Sequence, residues 1–340
     1  MFPMPVAAQA HQFARRDFLG ASVALAGFAA AGQTLAQQAP AEAATPRAKG
    51  PRIWLDMDQT DLDDAFDMFK AAPNLPQITR RYASNSEAAR SRLGEPRRFA
   101  YGPTAIEALD VYTTKAANAP INVFLHGGAF SMGLAKHYAF PAELFVRAGA
   151  HLVVPDFARP QDLDGSIVPL ADQVRHAVAW VYRNAQSFGG DPDRIFVCGH
   201  SSGGELAGNV LTTDWRKDFN LPADLVKGGL CCSATFDLKG FRLSAASAKF
   251  RITDEMEQAL STRRHIDKLS APLIVAFGSR ETAFFQSQAR EFAAAVQAAG
   301  KPVQLLVAEG YNHFEVIETL ANPYGLLGRA VLEQMKLNRA

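Results

Sequence analysis

From about residue 98 onward, short apolar runs alternate with longer stretches in which apolar residues recur at every third or fourth position. The runs predict buried strands and the periodic stretches predict amphipathic helices. Their alternation predicts an α/β fold, with a mostly parallel central sheet covered by helices on both faces. Strands are expected from Arg98 to Tyr101, Ile106 to Thr113, Ile121 to Leu125, His151 to Pro155, Arg194 to Cys198, Lys227 to Cys232, Leu273 to Phe277 and Val303 to Val307. The clearest helix runs from Pro169 to Ser187, where Val174, Ala177, Val178 and Val181 form one stripe and Asp172, Arg175, His176 and Arg183 lie on the opposite face. Further helices are expected from Ser202 to Thr213, around Phe285, Phe292 and Val296 up to Gly300, and at the end of the chain to about Leu337.

Three segments break the alternation. Residues 1–44 contain Arg15-Arg16 directly before Asp-Phe-Leu, then an apolar run too short and too glycine-diluted to span a bilayer, then small residues suited to cleavage. This layout resembles a twin-arginine export signal, which implies a periplasmic or secreted protein with no stable membrane anchor after cleavage. Residues 45–97 are polar and read as a helical arm or cap outside the main core. Residues 237–269 are charged and without a clear strand, and read as an irregular lid over the carboxyl edge of the sheet.

Composition narrows the function classes. Thirty-five Lys and Arg stand against 34 Asp and Glu, so no surplus positive charge supports nucleic-acid binding. The three cysteines, Cys198, Cys231 and Cys232, do not form a disulfide framework. No CxxC, HExxH or close His/Cys/Asp cluster suggests zinc, so no metal is expected.

The chemistry concentrates at strand ends. Gly199-His200-Ser201-Ser202-Gly203 is a GxSxG between a strand and a helix, where a strained turn holds a serine hydroxyl exposed and glycines permit the tight packing. Ser201 is therefore the candidate nucleophile. The strand from Ile121 to Leu125 runs into His126-Gly127-Gly128-Ala129-Phe130, a loop able to aim backbone N–H groups at a developing oxyanion. Gly128, Ala129 and the Ser202 N–H are the expected donors, with Gly127 shaping the turn and His126 bracing it. His313, after the last strand, is the candidate base. His200 lies within the elbow with its side chain turned from that of Ser201, and His11, His137, His151, His176 and His265 read as structural or poorly placed.

The strand from Leu273 to Phe277 leads into Gly278-Ser279-Arg280-Glu281, which nominates Glu281 as the acid that orients His313, with Asp254 and Glu255 in the lid as alternatives. Phe130, His200, Phe236, Phe284 and Tyr311 lie near motif ends and are candidate pocket residues. Cys198 reads as core, although a thiol three residues before Ser201 is also a conceivable nucleophile.

With the motifs at 126–130 and 199–203 and the segment GSRETAFFQSQAREF in view, the chain from about 98 to 320 resembles α/β-hydrolases of the carboxylesterase and kynurenine formamidase branch. The resemblance implies a cofactor-free hydrolase with Ser201, Glu281 and His313 as triad. Ala129 departs from the usual third glycine or bulky aromatic, Glu281 stands where Asp is commoner, and the export signal is unusual for a formamidase. The leading expectation is a serine hydrolase of a small carboxylic ester. The alternatives are an aryl-formamide or other amide hydrolase and a non-catalytic binding protein on the same fold.

Overall fold

The computed structural model describes residues 47–337, and the expected export signal at 1–44 lies outside them. Eight strands form one sheet in the order β1-β2-β4-β3-β5-β6-β7-β8. They are β1 (Arg97–Ala100), β2 (Ala108–Tyr112), β3 (Ala119–Leu125), β4 (His151–Pro155), β5 (Gly190–His200), β6 (Val226–Cys232), β7 (Leu273–Gly278) and β8 (Val303–Ala308). β1 pairs with β2, and β2 with β4, antiparallel. All pairings from β4 through β3 to β8 are parallel. Strands β2, β3, β4, β6 and β7 and the second half of β5 are almost wholly buried, which accounts for their apolar runs, because the centre of the sheet is covered on both faces.

Eleven α-helices lie among the described residues: α1 (Gln59–Ala65), α2 (Met68–Ala71), α3 (Leu75–Leu93), α4 (Ala142–Arg147), α5 (Val168–Asn184), α6 (Ser202–Leu211), α7 (Trp215–Phe219), α8 (Lys239–Leu243), α9 (Asp254–Leu260), α10 (Ala283–Ala298) and α11 (Leu326–Gln334). On α5, Val174, Ala177, Val178 and Val181 are buried in the core on one face of the sheet. A second core, which includes Phe124, Leu152, Cys198, Val316 and Val331, occupies the other face.

Two expectations need correction. Helices α1 to α3 do not stand outside the core, because Ile78 and Tyr82 of α3 are buried among the residues of the second cluster. The segment 237–269 is not irregular either. It folds into α8, α9 and short 3-10 turns, and α9 begins where Thr253 caps it by accepting a hydrogen bond from Met256 N–H at 3.2 Å, with Asp254, Glu255 and Glu257 in its first turn.

The parallel register carries the chemistry to one edge. Leu125 pairs with Gly199, His200 with Cys232, Cys232 with Ala276, and Gly278 with Ala308. The loops that leave β3, β5, β6, β7 and β8 therefore emerge side by side at the carboxyl edge, where open α/β sheets place their sites.

Candidate active site

The turn from β5 into α6 explains its own glycines. Ser201 has φ +57° and ψ −128°, a conformation that side chains other than glycine rarely adopt. Its N–H is tied to the Cys232 carbonyl at 2.9 Å, which fixes the turn to β6. A Cβ on Gly199 would fall on the Gly203 carbonyl, and one on Gly203 would fall on the Leu125 carbonyl. The turn is tight because β3, β5 and the first turn of α6 share one space, and that closeness leaves the Ser201 hydroxyl facing outward.

Three side chains meet there. Ser201 Oγ lies 2.9 Å from His313 Nε2, and His313 Nδ1 lies 2.9 Å from Glu281 Oε2. Glu281 Oε1 accepts from Ser233 Oγ and from Gly278 N–H, each at 2.6 Å. With a carboxylate on its Nδ1 side, the imidazole can present Nε2 as the proton acceptor toward Ser201. The alternative acids stay in the lid: Asp254 pairs with Arg242 at 2.6 Å and faces solvent.

The loop after β3 folds beside the elbow. Gly128 has φ +122°, and a side chain there would strike the Met132 carbonyl, so only glycine fits. Ala129 and Phe130 also hold positive φ, at +49° and +58°. The Phe130 N–H donates to Ser202 Oγ at 3.2 Å, which binds the loop to α6. Among the described residues the N–H groups of Gly128, Ala129 and Ser202 donate to no protein acceptor, so they are free to receive a negatively charged oxygen. Gly127 packs against His200 and Ser201. The buried His126 ring is sandwiched between Tyr138 and Phe157 at 5.0 and 4.4 Å, with its Nδ1 on the Gly127 carbonyl at 2.9 Å.

The expected pocket residues divide. Phe130 lies against Phe241 and Phe250 of the lid, with centroids 6.1 and 6.2 Å apart. His200 serves a different purpose: its Nε2 lies 2.7 Å from the His313 carbonyl, so it holds the loop that carries His313. Phe236 is sealed in the core, stacked on Phe292, and Phe284 is sealed among Trp54, Phe66 and Phe285; both are packing residues. Tyr311 is 41% exposed, and its backbone carbonyl accepts from Arg280 N–H. Cys198 is buried and its thiol is pushed up to about 12 by desolvation, which leaves it in the inert protonated form.

Sequence reasoning missed the supports that come from far along the chain. Ser233 leaves β6 with φ +54° and reaches Glu281 48 residues later. Asn74, just before α3, donates to Glu315 at 2.8 Å and accepts from Asn312 at 2.9 Å, while Tyr82 donates to the Phe314 carbonyl. The arm therefore braces the His313 loop. Phe66 at the end of α1 packs on Phe241, Phe284 and Phe285, joining the arm to the lid and to α10. Among the described residues no cluster of three His, Cys, Asp or Glu side chains is arranged to hold a metal.

The sequence signature of the alpha/beta hydrolase fold matches residues 122–316, from β3 through the His313 loop. The chain belongs to the α/β-hydrolase family. Kynurenine formamidase of Danio rerio is 25% identical to this hydrolase over 295 residues, covering 83% of the chain and 98% of its relative. Kynurenine formamidase of Salmo salar is 26% identical over 244 residues, covering 69% and 80%. Among solved structures, a hyperthermophilic esterase from Pyrobaculum calidifontis superposes with a TM-score of 0.60 at 17% identity, covering 82% of this chain and 94% of that one. The esterase LipW from Mycobacterium marinum gives 0.56 at 18% identity, covering 80% and 90%. This α/β-hydrolase thus has an esterase-type fold, with formamidase relatives at low identity.

Proposed function

We propose that the chain is a serine hydrolase that cleaves a small carboxylic ester through an acyl-enzyme. His313 Nε2 takes the proton from Ser201 Oγ as the oxygen attacks the ester carbonyl. The N–H groups of Gly128, Ala129 and Ser202 stabilise the tetrahedral oxyanion. The imidazolium, held by Glu281, returns its proton to the departing alcohol, and water then releases the acid by the same route. The observation that carries this reading is the unbroken line from Ser201 Oγ through His313 to Glu281, two hydrogen bonds of 2.9 Å each, beside N–H groups that have no partner among the described residues.

A second reading, hydrolysis of an aryl formamide, draws support from the two formamidase relatives, whose alignments cover 98% and 80% of their own lengths. The same proton path serves an amide if His313 protonates the leaving amine. The closing experiment compares p-nitrophenyl acetate, butyrate, benzoate and palmitate with N-formyl anilines by kcat/KM. The ester reading expects acetate, butyrate or benzoate to lead. Turnover confined to the anilines would transfer the assignment to the amide, and palmitate matching butyrate would contradict a small acyl group. We further propose that Arg15 and Arg16 direct the protein through the twin-arginine route to the periplasm or beyond.

A further inference from the structure

The two edges of the sheet are built differently. β1 carries Arg97 and Arg98, with Arg98 held between Asp110 and Asp156 at 2.7 and 2.6 Å, and such charge keeps an open edge from pairing. β8, the opposite edge, reads Val-Gln-Leu-Leu-Val-Ala. It has no charge and no proline, and its register with β7 runs from Val303 to Ala308 without a bulge. Leu305 near its centre is 37% exposed, and among the described residues no other large apolar residue of a strand is exposed.

Backbone alternation shows which groups this edge leaves open. Leu273 N–H donates to the Pro302 carbonyl and Ser279 N–H to the Ala308 carbonyl. The even-numbered residues of β8 therefore face β7, and Val303, Leu305 and Val307 direct their N–H and C=O groups away from the sheet. Among the described residues no strand pairs with that side. Two copies laid antiparallel about a two-fold axis at Leu305 satisfy each other: Leu305 pairs with the second copy's Leu305, and Val303 with the second copy's Val307. The same register sets Lys301 opposite the second copy's Glu309. Lys301 Nζ reaches only the carbonyls of Asp267 and Leu269, at 2.9 and 2.6 Å, and Glu309 is exposed with no ion pair among the described residues. Opposite charges thus meet at both ends of the pairing. A one-residue slip would set outward groups against inward ones and break both the ladder and the charge pairs.

We propose that β8 is a homodimer interface, formed by antiparallel pairing with β8 of a second copy of this chain about Leu305, which joins the two eight-stranded sheets into one. The occupant is a second copy because the edge complements itself. Its outward ladder matches its own reverse, its centre is apolar, and Lys301 and Glu309 stand at equal distances on either side of Leu305. The pairing does not depend on the reaction carried out at Ser201.

The test is sedimentation equilibrium of the full chain, with thermal unfolding run on each variant. The wild type is expected to be a dimer. Leu305→Lys, which sets two ammonium groups face to face at the axis, should raise the dimer dissociation constant at least about tenfold. A wild type that stays monomeric up to about 100 µM overturns the interface, and so does a folded Leu305→Lys that dimerises as tightly as the wild type. Cysteine substitution checks the register itself, since Cys198, Cys231 and Cys232 are all buried and do not compete. Directly opposed residues of a hydrogen-bonded pair have Cα atoms about 5.5 Å apart, within disulfide reach, while residues offset by two lie beyond about 7 Å. Under mild oxidation Leu305→Cys should therefore give covalent dimer at least about tenfold faster than Gln304→Cys. Equal rates overturn the pairing, and this comparison decides if Leu305→Lys does not fold.

Discussion

At the scale of single residues, the site depends on groups whose removal leaves little to substitute for them. Ser201→Ala should lower kcat by about 10³- to 10⁶-fold with the melting temperature nearly unchanged, since only the reacting oxygen is lost. A fluorophosphonate probe should label the wild type and not the variant. Glu281→Gln should cost about 10²- to 10⁴-fold, because a neutral amide no longer stabilises the imidazolium. Asp254→Asn should cost little, because Asp254 is 78% exposed and pairs with Arg242 at the surface, away from His313. The reverse ranking would remove Glu281 from its role. Ser201, Glu281 and His313 could be nominated from the residues beside them, a GxSxG and two strand ends. Ser233 could not, because its hydroxyl matters only once β6 and β7 pair and bring it to Glu281.

At the scale of elements, the elbow and the aromatic bridge to the lid make different demands. The elbow is a matter of clearance: Gly203→Ala would drive a methyl into the Leu125 carbonyl, which should destabilise the fold by about 1–3 kcal/mol and displace Ser201. The bridge is a matter of enclosure. Phe66 links α1 to Phe241 of α8 and to Phe284 and Phe285 of α10, and Phe285 packs on His313 at 4.7 Å. Phe66→Ala should loosen this cover, so that the kcat/KM ratio of p-nitrophenyl octanoate to acetate rises by about 3- to 10-fold, equivalent to about 0.6–1.4 kcal/mol of relieved contact. An unchanged ratio would show that the arm does not limit acyl length. The Thr253 cap of α9 was available in the sequence as a Thr followed by acidic residues, a helix start that the high charge of the segment obscured.

At the scale of the whole molecule, acid stability follows from a buried histidine. Burial, with a smaller contribution from the adjacent His313 ring, lowers His200 to about 3 from an ordinary value of 6.5. Between those values the unfolded chain binds a proton that the native protein excludes, so the stability present above 6.5 is lost as pH falls toward 3. Melts at about pH 7 and about pH 4.5 should show a drop that is smaller in His200→Gln by roughly 5–10 °C. Equal drops would assign the acid sensitivity to other groups. What the sequence determined by itself was the succession of strands and helices, the parallel α/β class, the elbow and the three strand-end residues, because periodicity and glycine clearance are properties of neighbouring positions. What only the tertiary structure decided was the bracing of the His313 loop by Asn74 and Tyr82 and the sealing of Phe236 and Phe284 away from the pocket. These depend on contacts between segments up to 241 residues apart, as between Asn74 and Glu315, and a one-dimensional pattern does not encode which distant surfaces meet until the sheet sets their register.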